Sequence, residues 1–503
     1  MTILEATQIT KAFPSVVALD AVNVAFEPGR VYGIVGENGA GKSTLVKILD
    51  GVLQPDKGTI LIEGEDALAH PRLFERISYV PQELLLFRHM TVAENLFMPF
   101  WKSGVQNVPI LQERLFAEAI PWLERFQIDA APSTLAKDIS VSNQQLLQIA
   151  RGIVSKQYRI LILDEPTTSL TAASVSRLFE VIRQLRGEGR SIIFISHKLD
   201  EIFDLCDEVT VLRNGVKVGD SKMGDVDRRW MIRQMSGRDI DERHVFRPRT
   251  RRRDVVMEVE GLSGPGFRDI SFTLRRGEIL GFAGLVGAGR SEIMQTVFGR
   301  LRAKGGEVRL NGRPFKLSDP RRSVREGLIY LPEERRQEGI LPFLSVRHNI
   351  SIAVLRQITN RGVISIRRER ALVQQIADAF DIRTPSLDRA IMFLSGGNQQ
   401  KAIIGRAMAS SPKVLILDEP TKGIDVGTKA DLYGLMRDLA EGGQTGIIFI
   451  SSDLDELLRC ANRVITVYNG RIVGEFDAEA SSKTEIVASM IGERMAGKGE
   501  MLQ

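Results

Sequence analysis

Residues 31–44 read VYGIVGENGAGKST, and this stretch decides the fold. Val31 to Val35 is a short apolar run with no polar alternation, the pattern of a strand buried on both faces. It runs straight into a turn that fits G-x-x-x-x-G-K-[ST] from Gly36 to Ser43, with Thr44 next. Glycines 36, 39 and 41 let the backbone curl, so that the N–H groups of the Gly36-Glu37-Asn38-Gly39-Ala40-Gly41 turn face a polyphosphate. A helix beginning near Gly41 adds the positive end of its dipole. Lys42 then reaches the β- and γ-phosphates, and Ser43 can ligate Mg²⁺.

A second acidic element lies downstream. ILILDEP, residues 160–166, is a buried strand ending in two carboxylates. Asp164 is placed to hold Mg²⁺, and Glu165 to orient or deprotonate an attacking water.

Both elements recur. AGLVGAGRS at 283–291 repeats VGENGAGKS at 35–43, VLILDEPTKGI from Val414 repeats ILILDEPTTSL from Ile160, and IIFISSDLDE from Ile447 repeats IIFISHKLDE from Ile192. Gln82 corresponds to Glu333 and Asp164 to Asp418, separations of 251 and 254 residues, so few insertions divide the halves. The expected organisation is a first domain over residues 1–240, a linker over 241–253 and a second domain over 254–498. Within each half, short apolar runs alternate with longer helix-like segments, which predicts an α/β fold with a parallel sheet. The linker carries Arg243, Arg247, Arg249, Arg251, Arg252 and Arg253 and is expected to be solvated. A contact with anionic lipid or an acidic partner is the alternative reading of that cluster.

Composition is that of a globular protein: 503 residues, 43% hydrophobic, 26% charged and a net charge of +5. The small charge gives no warrant for a nucleic-acid surface. No run approaches the ~20 apolar residues of a bilayer span, and the N-terminus lacks a signal pattern. Cys206 and Cys460 read as packed residues.

These motifs resemble the ATP-binding-cassette family over nearly the entire chain, which implies two tandem nucleotide-binding domains. Each would have a P-loop core, a helical subdomain and an antiparallel β subdomain, and would use ATP and Mg²⁺. On that resemblance, Gln82 in YVPQE matches the glutamine that contacts Mg²⁺ and relays nucleotide state. His197 in ISHK matches the switch histidine at the γ-phosphate, and Phe13 sits where an aromatic ring stacks on adenine. The family's LSGGQ signature closes over the nucleotide of an opposing domain. In the first half the matching Ile139-Ser140-Val141-Ser142-Asn143 has lost both glycines, whereas Leu394-Ser395-Gly396-Gly397-Asn398 in the second keeps them.

The second phosphate site is the altered one: Arg290 replaces the lysine, Glu292 the threonine, Glu333 the glutamine and Ser452 the histidine. Ser291, Asp418 and Glu419 survive, leaving a place for magnesium nucleotide, but turnover there is not expected. The stretch between Leu262 and Ile270 is too short for an equivalent of Phe13. Family members act as head-to-tail dimers, which implies that Lys42, Gln82, Asp164, Glu165 and His197 face Ser395–Asn398 in one intact site. The altered residues, Ser140 and Ser142 included, gather in the other.

GLVGAGRSE, YLPEERRQEG, LSGGNQQK and DEPTKGIDVG are similar to the twin-cassette ATPases of bacterial monosaccharide importers. The resemblance implies integral-membrane permease subunits and an extracytoplasmic solute-binding protein as partners, with this chain on the cytoplasmic face of the membrane. The segments between Gln82 and the first signature, and between Glu333 and Leu394, would receive the permease; Trp101 and Trp122 fall in the first and read as core. Alternatives are import of another solute such as a nucleoside, an exporter ATPase, and a soluble twin-cassette factor acting on ribosomes or DNA. Against the last stand the short linker and the single altered site.

Overall fold

The computed structural model describes residues 2–13, 16–99, 112–154, 158–168, 170–240, 244–249, 254–285, 287–317 and 319–492. It divides into two compact units, Met1–Ile240 and Asp241–Gln503.

In the first unit six strands form one sheet in the order Val216–Lys222, Glu208–Arg213, Val31–Val35, Ser191–Ile195, Ile160–Asp164 and Ile77–Val80. All pair in parallel except the outermost hairpin. Every residue of Val31–Val35, Ile160–Asp164 and Ser191–Ile195 is buried, because side chains of both parities meet packed layers. Ile160, Ile162, Ile193 and Ile195 join Leu45, Val46, Ile48 and Leu49 of the helix Lys42–Leu49 in one core, each such side chain contributing roughly 1.5–3 kcal/mol of transfer free energy. Leu4, Ile9, Leu19, Val22, Ile60 and Ile62 of a four-stranded antiparallel sheet complete it. Helices Val92–Phe97, Gln112–Phe126 and Val141–Val154 form the helical part, the first fixed by a capping box between Thr91 and Glu94.

Parallel pairing positions the site. Ile34 and Asp164 both lie opposite Ile195, so the glycine turn, the acidic pair and the Ser196-His197 turn emerge together at the carboxyl edge of the sheet, where open α/β sheets bind their ligands.

The second unit repeats the plan, with strand order Leu328–Leu331, Val414–Asp418, Gly446–Ile450, Ile279–Ala283, Arg463–Tyr468, Arg471–Asp477. Alternation is visible in its core: Val414 and Ile416 pack with Ile293, Met294 and Val297, while Leu415 and Leu417 pack with Leu432, Tyr433 and Met436.

The stretch expected to be a solvated linker is in part docked on the second unit. The Phe246 N–H donates to the Arg459 carbonyl at 2.8 Å, and its ring lies 5.6 Å from that of Tyr433. The Arg247 guanidinium donates to the carbonyls of Ala461, Leu458 and Ala478 at 2.7, 2.9 and 3.0 Å. Two of these carbonyls, those of Leu458 and Ala461, lie where the helix Leu454–Cys460 ends, and a five-donor cation satisfies them there. Arg243, Arg251, Arg252, Arg253 and Trp101 lie outside the described residues. Trp122 is partly buried, with the Arg125 guanidinium 5.7 Å from its ring centre. Both cysteines are buried.

Candidate functional sites

The helix after the first glycine turn runs Lys42–Leu49 and is capped by Gly41 at φ 101°, in the left-handed region. A Cβ on Gly41 would also stand 2.5 Å from the Ala18 carbonyl oxygen, so glycine is required twice over. Lys42 is buried, and its ammonium donates to the carbonyls of Gly36 and Glu37 at 2.6 and 3.0 Å. Ser43 is exposed and Thr44 half-buried.

Glu165 also sits in the left-handed region, at φ 47°, a conformation costing a non-glycine residue roughly 1–2 kcal/mol. Its surroundings hold it there. The Glu165 N–H donates to the Ile195 carbonyl at 2.9 Å, and its carboxylate accepts from the Gln82 amide at 3.0 Å while Nδ1 of His197 lies 3.1 Å away. Burial works to raise this carboxyl, but the hydrogen bond and charge of His197, with Lys42 and Lys198, outweigh it and hold Glu165 below its ordinary value. Asp164 moves the other way: burial and the neighbouring Glu165 raise it, despite a 3.3 Å hydrogen bond from the Tyr79 hydroxyl. Gln82, Asp164, Glu165 and His197 are thus brought together. Phe13 ends the strand Leu4–Phe13 and is 43% exposed, so its ring has a free face. The donor set at this edge, a serine hydroxyl, an amide and one carboxylate, suits an ion such as Mg²⁺ that arrives already bound to phosphate.

In the second unit the same positions close on one another. Arg290 is buried like Lys42 but reaches past the turn: it donates to the Ser451 carbonyl at 2.7 Å and pairs with Glu419 at 3.2 Å. The Ser291 hydroxyl donates to Asp418 at 3.1 Å, the Tyr330 hydroxyl to the other oxygen of Asp418 at 2.7 Å, and Ser452 to Glu419 at 3.2 Å. Burial raises both carboxyls, most strongly opposed by Tyr330 at Asp418 and by Arg290 at Glu419. Glu419 shares the left-handed backbone, φ 44°. The matched glutamates are therefore shifted in opposite directions, Glu165 held low and Glu419 pushed up. Glu333 pairs with Lys422 at 2.6 Å, which meets the charge that replaced Gln82. No aromatic corresponds to Phe13: the turn at Gly264–Gly266 is tight, and Phe267 is buried.

Ser140 and Ser395 both cap helices, accepting from the N–H groups of Asn143 and Asn398 at 3.2 and 3.4 Å. Gly397 is buried, and a Cβ there would stand 2.4 Å from Cγ2 of Thr428. A Cβ on Gly396 would meet Nη2 of Arg335 at 2.9 Å.

Sequence reading missed Tyr79, Tyr330, Lys422 and Thr428. The tyrosines precede Gln82 and Glu333 by three positions, a matched pair visible in the duplication. Lys422 replaces Thr168, at the position four residues after the first acid, just where Glu333 replaces Gln82, so the two changes could have been read together.

A family model described as ABC transporter matches residues 19–168 and 267–422. The arabinose import ATP-binding protein AraG of Azospirillum brasilense is 43% identical over 474 residues, 93% of this chain and 90% of that one. A provisionally named ribose/galactose/methyl galactoside import ATP-binding protein of Geobacillus kaustophilus is 40% identical over 502 residues, 99% of each. A solved ATP-binding subunit of an ABC transporter aligns with 48% of this chain and 95% of its own, at 24% identity and a TM-score of 0.40.

Proposed function

The chain belongs to the ABC transporter family, and on that premise we propose that it is the ATP-hydrolysing subunit of a monosaccharide importer, with turnover at one composite site. The observation that carries the hydrolytic assignment is Glu165, held at the carboxyl edge by Gln82 and His197 beside the Lys42 loop.

In this reading the γ-phosphate takes over the Lys42 ammonium from its two carbonyl partners, a charge-assisted contact to an anion replacing neutral ones. The N–H groups of residues 36–41 and the helix N-terminus cradle the remaining phosphates. Ser43, Gln82 and Asp164 would hold Mg²⁺, which would supply positive charge against the phosphates. Glu165 accepts the proton of the attacking water, the bond from γ-phosphorus to the bridging oxygen breaks, and His197 faces the transferred group. Phe13 stacks on adenine. Ser395, Gly396, Gly397 and Asn398 of the second unit close this site from the other side.

Arg290 and Glu419 satisfy each other in the second site. A nucleotide there must break that pair before it meets either group, which argues for binding without turnover.

Arabinose, ribose and galactose transport appears in the names of relatives that align over nine-tenths or more of both chains, and it is on them that the solute class rests. Partners would be integral-membrane permease subunits and, through them, an extracytoplasmic solute-binding protein. Among the described residues no helix is long and apolar enough to cross a membrane; in the importer reading the chain binds its permease peripherally, on the cytoplasmic face. The test is reconstitution of this chain with its cognate permease and binding protein in proteoliposomes, with ATP inside and labelled arabinose, ribose, xylose or galactose outside. ATP-dependent uptake of at least one sugar is expected. Uptake of none, with a nucleoside or polyol transported instead, would overturn the solute assignment.

A further inference from the structure

The signature helix Gly396–Ala409 is gripped at its first peptide by an arginine from another part of the second unit. Arg335 opens the single turn Arg335–Gly339 that follows Glu333, and its Nη1 donates to the Gly396 carbonyl at 2.9 Å. The guanidinium lies where a side chain at position 396 would project, since a Cβ there would stand 2.9 Å from Nη2. Glycine at 396 therefore admits Arg335.

The arginine is badly placed for stability. It is half-buried, its Nε is buried without a hydrogen-bond partner, and among the described residues no carboxylate pairs with it. Burial, with Arg336 beside it, pulls its pKa down. A guanidinium withdrawn from water to meet a single carbonyl is destabilising, and such a local conflict is the mark of a position kept for function. The first unit shows what accompanies it. Leu84 stands two residues after Gln82, as Arg335 stands two after Glu333, and the matching signature Ser140-Val141-Ser142 has lost its glycines. Arginine and glycines are present together in one unit and absent together from the other.

The carbonyl of Gly396 and the N–H of Gly397 belong to one planar peptide and point in opposite directions. At this helix end the Asn398 N–H donates to Oγ of Ser395 and the Gln399 N–H to the Ser395 carbonyl, whereas that of Gly397 is left without an intrahelical acceptor. Resting on the composite site proposed above, we propose that Arg335 positions the Gly397 N–H for the γ-phosphate of the nucleotide held by Lys42. The guanidinium fixes the peptide plane by its oxygen and, by drawing electron density toward that oxygen, strengthens the donor at the other end. Arg335 is a positioning residue and does not itself touch the phosphate.

The experiment uses the full chain in complex with its cognate permease. ATP and ADP affinities are read in a Glu165→Gln background, in which bound ATP persists, and hydrolysis is read without that change. Arg335→Leu, which copies the first unit, should weaken ATP binding about tenfold, the worth of one hydrogen bond to a charged group, and leave ADP within about twofold, because the contact is to the γ-phosphate. Hydrolysis at limiting ATP should fall by about the same factor. Arg335→Lys keeps the charge without the planar fork and should lie between the parent and Arg335→Leu. The melting temperature of the ligand-free chain should be unchanged or higher in Arg335→Leu, since a buried donor without a partner is removed. A lower melting temperature with equal losses of ATP and ADP affinity would reduce Arg335 to a structural role, and parental ATP affinity in Arg335→Leu would equally overturn the proposal. Ser395→Arg separates this outcome from the composite-site reading. If that variant hydrolyses ATP at the parental rate, the composite site fails and this proposal with it; if it is inactive while Arg335→Leu is parental, only the role of Arg335 fails.

Discussion

Two glutamates, Glu165 and Glu419, occupy matching places after matching strands and share an unusual backbone angle, yet they have different neighbours. Glu165 is shared by an amide and an imidazole, both able to release it to water. Glu419 is neutralised by Arg290, a planar guanidinium that fills the space between loop and acid. Glu165→Gln should therefore cut ATP turnover by two orders of magnitude or more, as loss of a general base does, while leaving ATP bound. Glu419→Gln should keep most of the activity, and equal losses, measured as phosphate release by the permease complex, would refute the asymmetry. The held-low carboxyl of Glu165 also has a pH signature. Its folded value lies below the ordinary 4.5, so the stability it contributes is complete above that value and is lost as pH falls through the lower one. The difference in melting temperature between the ligand-free parent and Glu165→Gln should be constant near neutrality and shrink under acid.

At the scale of elements, the signature helix Gly396–Ala409 shows what its glycines are for within their own unit. Gly397 abuts Thr428, which caps nothing itself but hydrogen-bonds Asp425, the cap of the helix Val426–Glu441. Gly397→Ala should destabilise the protein by about 1–3 kcal/mol, the usual range for overpacking. Thr428→Ala removes the two nearest atoms, so the double variant should recover a large part of that loss; simple additivity in thermal or urea unfolding would contradict the packing account. This contact was not legible in the sequence, since it joins residues of separate helices and glycine at 397 already had a reading as a phosphate-facing position. The glycine turn, the buried strands and the acidic pair were legible, because each is a local pattern whose chemistry and periodicity agree. The docking of Arg247 was not: a basic stretch without apolar period reads as solvated until the carbonyls it meets, more than two hundred residues later, are known.

For the molecule as a whole, the duplication supplies two sets of parts, and the changes are distributed between them in a complementary way. The first unit keeps its phosphate loop and acids but has Val141 and Ser142 in its signature; the second keeps its signature glycines but locks Arg290 to Glu419. Decay without function would scatter over both sets. The proposed pairing of the first unit's loop with the second unit's signature would gather every intact part in one site. The most direct measurement of that claim compares Ser395→Arg with Ser140→Arg in the full permease complex. Both serines are exposed and both cap their helices, so each variant loses the same ~1 kcal/mol of capping and gains the same bulk. Steady-state ATP hydrolysis should fall to the level of Glu165→Gln in Ser395→Arg and stay near the parental rate in Ser140→Arg. A parental rate in Ser395→Arg, or an equal loss in Ser140→Arg, would contradict the composite site.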